Sequence, residues 1–147
     1  MTPVKVKQKG YTLIELVLVV SLMSLLTSIA APRMDKTFFN MKVYSRELCA
    51  DIRYIRLMKM TEGGAYRILL HEEYYRVLNG SKELKTVELP KHMQLLYPAQ
   101  VIRFNQNGAP SWSGTISVRD KKSGRYYEIT IVPASGRVLL KDEIKSS

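Results

Sequence analysis

Scarcities narrow the field first. The chain has one cysteine, Cys49, so no intramolecular disulfide can form, and no cysteine closes an apolar run as lipid attachment would need. It has two histidines. His71 stands beside Glu72 and Glu73, but no second histidine or cysteine has ligand spacing, so neither a metal nor another cofactor is expected. No nucleophile elbow is present, and Gly63-Gly64 is not followed by the Lys-Ser/Thr of a phosphate loop. An enzyme is therefore not expected. Acids are also scarce: 13 Asp and Glu stand against 23 Lys and Arg, a formal charge of +10. That excess speaks of partners (nucleic acid, an anionic membrane surface, an acidic protein) and not of fold. Hydrophobic residues at 46% exclude a largely disordered chain.

The charge that is present is unevenly spread. Residues 1–10 hold three lysines and no acid, and residues 11–31 hold a single charged side chain, Glu15. As a helix, that second stretch is about 31 Å long, the thickness of a bilayer's hydrocarbon core. Lys5, Lys7 and Lys9 precede it, so the expected topology has a cytoplasmic N-terminus and an external C-terminal body. A plain single-pass anchor would satisfy this pattern, but Glu15 does not suit one. An acid in a membrane helix costs about 2.5–3.5 kcal/mol on insertion scales, and no cation within the stretch can pair with it. A cut after Gly10, where the missing Cβ admits a protease, would expose the α-amine of Tyr11, and that amine on a neighbouring subunit could neutralise Glu15.

Lys9-Gly10-Tyr11-Thr12-Leu13-Ile14-Glu15-Leu16, with the apolar helix behind it, resembles the leader and N-terminus of type IV pilins and type II secretion pseudopilins. The resemblance implies cleavage between Gly10 and Tyr11 by a prepilin peptidase, N-methylation of Tyr11, and pairing of Glu15 with an adjacent subunit's N-terminus. It implies a helix kink at Pro32. It also implies other pilins or pseudopilins and the inner-membrane assembly platform as partners.

Beyond Pro32 the period of 3.6 continues. From Arg33 to Glu62 a helix is expected, with Phe38, Met41, Leu48, Ile52 and Ile55 on the packing face. Lys42, Arg46, Arg53, Arg56 and Lys59 fill the remainder, and Gly63-Gly64 stops it. Cys49 is expected to be a buried small apolar residue. From Ala65 the period changes to two. Strands are expected at 65–70, 74–78, 83–89, 101–105, 115–119, 126–132 and 137–141, with Asn79-Gly80 as a hairpin turn. Pro90 and Pro98 punctuate a looser stretch between. Of the pairs Tyr74-Tyr75 and Tyr126-Tyr127, one member should face the core and the other face out. The fold class is α+β: a long N-terminal helix, membrane half plus amphipathic half, against a C-terminal antiparallel sheet. The domains are a leader over 1–10, an assembly helix over 11–31, an amphipathic helix over 32–64 and a β-rich body over 65–147.

Phe104-Asn105-Gln106-Asn107-Gly108, Gly114-Thr115-Ile116-Ser117-Val118, Tyr127-Glu128-Ile129-Thr130-Ile131 and Ser135-Gly136-Arg137-Val138 look like the minor pilins of the H-type pseudopilin and FimT group, ComGD-type competence subunits above all. This resemblance implies a non-enzymatic minor subunit of a filament that takes up external DNA. The same architecture could serve type II secretion or a type IV pilus instead, and a monomeric membrane-anchored external binding protein stands as a third reading. Some relatives carry a Gly-Arg-x-Arg element implicated in DNA binding; here Gly136 and Arg137 match, but Leu139 replaces the second arginine. Arg119, Lys121, Lys122 and Arg125 cluster around an expected turn, with Arg137 and Lys141 following, as candidate phosphate contacts. The commoner reading of such a patch is a solvated turn and a solubilising surface.

Overall fold

A computed structural model describes residues 12–30 and 36–146. The chain divides into two compact units, Met1–Met34 and Asp35–Ser147. The first holds helix α1, Leu13–Ala30. Its start is set locally. The Glu15 amide donates to Thr12 Oγ1 at 3.4 Å, and the Thr12 amide points back at Glu15 Oε2 at 3.5 Å. That is a loose capping box, Thr-x-x-Glu, which the sequence spells out. The hydroxyls of Ser21, Ser24 and Thr27 donate to the carbonyls of Val17, Val20 and Met23 at 2.8, 2.7 and 2.9 Å. These polar groups are thus satisfied within the helix, as an apolar environment requires. Among the described residues no helix is long and apolar enough to cross a membrane. The bilayer-spanning stretch expected over 11–31 extends past the described helix at both ends.

The second unit begins with α2, Lys36–Thr61. Met41, Leu48, Ile52 and Ile55 are its buried stripe, as the spacing predicts, with Cys49 buried beside them. Phe38 lies among residues whose side chains are not described. Ser45 completes the stripe fully buried; its hydroxyl donates to the Met41 carbonyl at 2.7 Å, so a polar residue fits an apolar face. Lys59 Nζ closes the C-terminus by donating to the carbonyls of Gly63 and Gly64, both at 2.8 Å.

Eight strands follow: β1 Tyr66–Leu70, β2 Tyr74–Asn79, β3 Lys82–Glu88, β4 Met93–Leu96, β5 Val101–Arg103, β6 Gly114–Asp120, β7 Arg125–Ile131 and β8 Val138–Ser146. They form two antiparallel four-stranded sheets, ordered β3-β2-β1-β5 and β4-β6-β7-β8. Two sheets stand where the sequence suggested one, and β4 is a strand that the flanking prolines concealed. Tyr75 and Tyr127 are buried, while Tyr74 and Tyr126 lie half-buried on the outer faces. One core joins both sheets to α2, including Ile68, Leu70, Val77, Met93, Leu95, Ile116, Val118 and Ile129. Polar contacts fix the helix against the first sheet. The Tyr75 hydroxyl donates to Asp51 at 2.6 Å, and Lys85 Nζ reaches Asp51 at 2.8 Å and Glu47 at 2.9 Å. Burial, then the Asp51 carboxylate, push the Tyr75 hydroxyl's pKa up, keeping it a donor.

Candidate functional site

Gly10, Tyr11 and Pro32 lie outside the described residues. Of the assembly residues Glu15 is described. Leu13, Ile14, Leu16, Val17, Leu18, Val19 and Val20 around it are all exposed, so α1 is apolar on every side. A helix of that kind is covered by lipid or protein when stable. Among the described residues, the one hydrogen bond Glu15's carboxylate accepts, from the Thr12 amide at 3.5 Å, is at the limit of a bond. The carboxylate therefore keeps most of its capacity for a cation.

Of the six basic residues expected to meet phosphate, Arg137 stands apart from the others. Arg119, Lys121, Lys122 and Arg125 gather at the β6–β7 turn. Arg119 sits directly opposite Tyr126 across the ladder, beside a depression of about 270 Å³ lined also by Leu96, Ser117 and Glu128. Lys121 bonds Glu73 at 3.2 Å, and Lys122 is exposed. Lys141 stands mid-strand in β8, bound to Glu128 at 2.9 Å. Arg137 is exposed at the β7–β8 turn, a seven-residue strand away; that is roughly 20 Å. Contacts with α2 orient these ends. Arg53 Nη2 donates to the Val138 carbonyl at 2.8 Å, and Arg56 bonds the carbonyls of Gly108 at 3.0 Å and Ser135 at 2.9 Å. Arg46, Cys49 and Arg53 line a groove with Leu139 and Leu140. Hence α2 runs antiparallel to β8, the Arg137 turn lies at the end where α2 stops, and the β6–β7 turn lies toward its start.

Asp120 holds the basic turn together. It is 2% exposed, and its Oδ2 accepts from the Ser123 amide at 2.7 Å and hydroxyl at 2.6 Å. Burial alone would raise its pKa; the bonds from Ser123 and the Lys122 amide, with His92 nearby, outweigh burial and hold it below the ordinary 3.8. A depressed carboxyl stabilises the fold above its unfolded pKa and ceases to as pH falls through the folded one. Asp120→Asn should therefore lower the melting temperature at pH 7, and the gap from wild type should close below about pH 3.8. Parallel melts across pH check this, and a gap of constant size would refute it.

The sequence reading passed over two features. One is the clamp that Arg56 makes on the turns at Gly108 and Ser135. The other is Arg67 and Arg103, brought side by side on the outer face of the first sheet by the β1–β5 register. Alternation along each strand gives the outward direction of both arginines; which strands are neighbours is not local information. Among the described residues no group of acids, His and Cys could hold a metal ion.

Known proteins add four findings. Residues 5–31 match the prokaryotic N-terminal methylation motif. Over 138 residues the chain is 29% identical to competence protein ComGD of Bacillus subtilis strain 168, covering 90% of this chain and 92% of that protein. The fold is similar to that of the type IV minor pilin FimU of Pseudomonas aeruginosa strain PAO1, with TM-score 0.60 and 15% identity over 73% of this chain and 93% of that one. It is also similar to the minor pseudopilin EpsH from the type 2 secretion system of Vibrio cholerae, with TM-score 0.54 and 13% identity over 69% of this chain and 96% of that one. With an N-terminal motif, a relative matched along nearly its whole length and a shared fold all agreeing, the chain fits the type IV pilin and pseudopilin superfamily, near the ComGD-type minor pseudopilins.

Proposed function

We propose that this chain is a minor pseudopilin of a competence filament, needed for uptake of external DNA, and a structural subunit with no reaction of its own. In this reading a prepilin peptidase cuts after Gly10 and the new N-terminal Tyr11 is methylated. The apolar helix holds the subunit in the cytoplasmic membrane, N-terminus inside and body outside, until the assembly platform adds it to the filament. The observation that carries the reading is α1: apolar on every side, its hydroxyls bonded internally, and one carboxylate with a single marginal bond. Such a helix suits a bundle of like helices in which a neighbour supplies the cation. A second apolar stripe on α2, exposed at Phe39, Val43, Tyr54 and Leu57 opposite its buried one, suits the same packing. DNA as cargo draws support from the likeness to ComGD.

The test replaces Gly10 with leucine in the native host. The precursor should stay uncut, visible as a chain ten residues longer, and transformation should fall to the level of the deletion strain. Normal maturation of the Gly10→Leu chain would refute the processing step. Normal transformation of the deletion strain would remove DNA uptake and leave the same subunit serving protein export or a pilus.

A further inference from the structure

Arg67 and Arg103 stand directly opposite one another in the antiparallel β1–β5 ladder. Their strand neighbours Ile68 and Ile102 are buried against the core, so both arginines belong to the outer face. Directly opposed residues of such a ladder have Cβ atoms about 5 Å apart, and like charges there are destabilising. Several cations of this unit, Arg53 and Lys85 among them, find carbonyls or carboxylates, but neither Arg67 nor Arg103 has a hydrogen bond or ion pair among the described residues. An unrelieved pair of guanidinium groups, each a planar fork of donors, is a receptor for an oxyanion placed between them.

The rest of the face says which oxyanion. Leu69, two residues along β1, pairs with Arg76, which puts a third guanidinium about 7 Å further along the sheet. Arg76 lies over the Tyr74 ring at 5.4 Å and bonds Glu83 at 3.5 Å, while Tyr74 stacks on His71 at 4.2 Å. Cations and aromatic rings thus follow one line down the sheet. The acids on this side, Glu83 and Glu88, belong to the far edge strand β3, and Glu83 is already engaged by Arg76 and the Thr86 hydroxyl. A regular line of guanidinium groups leading to stacked rings matches a chain of phosphates and bases better than the scattered carboxylates of an acidic protein.

We propose that the outer face of the β3-β2-β1-β5 sheet binds the phosphate backbone of DNA, with Arg67 and Arg103 together holding one stretch of it. This site is separate from the β6–β7 turn and from Arg137. It rests on the competence reading for its biological setting alone. That reading stands or falls on processing and transformation, and this one on binding by the purified chain.

The test uses the full chain in detergent micelles and a labelled oligothymidine, titrated between 50 and 200 mM salt. Two phosphate contacts on a single strand contribute about 1.4 to the slope of log K against log salt, or about 25-fold in affinity at 0.1 M. The double variant Arg67→Gln, Arg103→Gln should show both losses. Its melting temperature should be unchanged or higher, because the repulsion is gone. Unchanged affinity and slope would overturn the proposal, as would a fall in melting temperature, which would make the pair structural. Wild-type chain that binds poly-glutamate but not oligothymidine would assign the face to an acidic protein instead.

Discussion

Glu15→Ala should leave the chain inserted and processed but reduce its incorporation into filaments by about a hundredfold or more. Removing an acid from an apolar helix eases insertion, by about 2.5–3.5 kcal/mol on insertion scales. A defect in membrane targeting is therefore not expected. The loss comes at assembly. Truncating one partner of a buried ion pair costs about 3–5 kcal/mol, because the other charge is left unpaired, and each 1.4 kcal/mol is a factor of ten. Glu15 also has a local part, since its carboxylate faces the Thr12 amide at the helix start. Thr12→Ala separates the two parts. It breaks the same capping box, at about 1 kcal/mol, and leaves the carboxylate in place. If pairing between subunits is what matters, Thr12→Ala assembles and Glu15→Ala does not. Equal defects in both would reduce Glu15 to a capping residue, and intact Glu15→Ala filaments would leave the anchored-monomer reading as the better one. Immunoblots of sheared filaments and of membranes give both quantities.

What could be read from the sequence was what short-range periodicity carries. The buried stripe of α2, the single inward member of each tyrosine pair and the Asn79-Gly80 turn, with Gly80 at φ 60°, all follow from spacing within a few residues. The path between sheets does not. Met93–Leu96 alternates inward and outward over four residues, too short to stand out between Pro90 and Pro98, yet it pairs with Leu96 opposite Ser117 and Met93 opposite Asp120. Order within each sheet is set by loops that carry β4 to one sheet and β5 to the other, and no periodicity records that. The candidate site divides the same way. Glu15 was conspicuous because a lone charge in an apolar run is anomalous by itself. Nearness in sequence groups Arg119, Lys121, Lys122 and Arg125 around a turn but says nothing of where Arg137 stands, and β7 separates it from Lys122 by a strand's length. Arg53 and Arg56, outside the packing stripe of the helix, reach the carbonyls of Val138, Gly108 and Ser135. A long side chain on the rim of a stripe can turn either way, and only the turns it meets decide.

Those turns carry the second large effect. Gly136→Ala should cost about 3 kcal/mol or more and lower the melting temperature by about 10 °C, whereas Arg137→Ala beside it should change little. Gly136 has φ 60°, a left-handed conformation that costs a residue with a Cβ about 1–2 kcal/mol. It is also pressed against another turn: a Cβ there would overlap the Gly108 carbonyl oxygen and lie 3.0 Å from Arg56 Nε. That same oxygen accepts from Arg56 Nε at 3.0 Å, and the neighbouring Ser135 carbonyl accepts from Nη2 at 2.9 Å. Moving either turn to admit a methyl group breaks bonds to a charged group, each worth about 1.5–3 kcal/mol, and adds overpacking. Arg137 is exposed and its side chain holds no such position. In the Gly-Arg pair that resembles a DNA-binding element, the glycine is thus the residue whose loss destabilises the fold, and the arginine is the one whose loss would be read in binding alone. A Gly136→Ala chain that melts within about 2 °C of wild type, under the shift expected for 1 kcal/mol, would show that the two turns can part at little cost, and the Arg56 clamp would not be what joins α2 to this end of the domain.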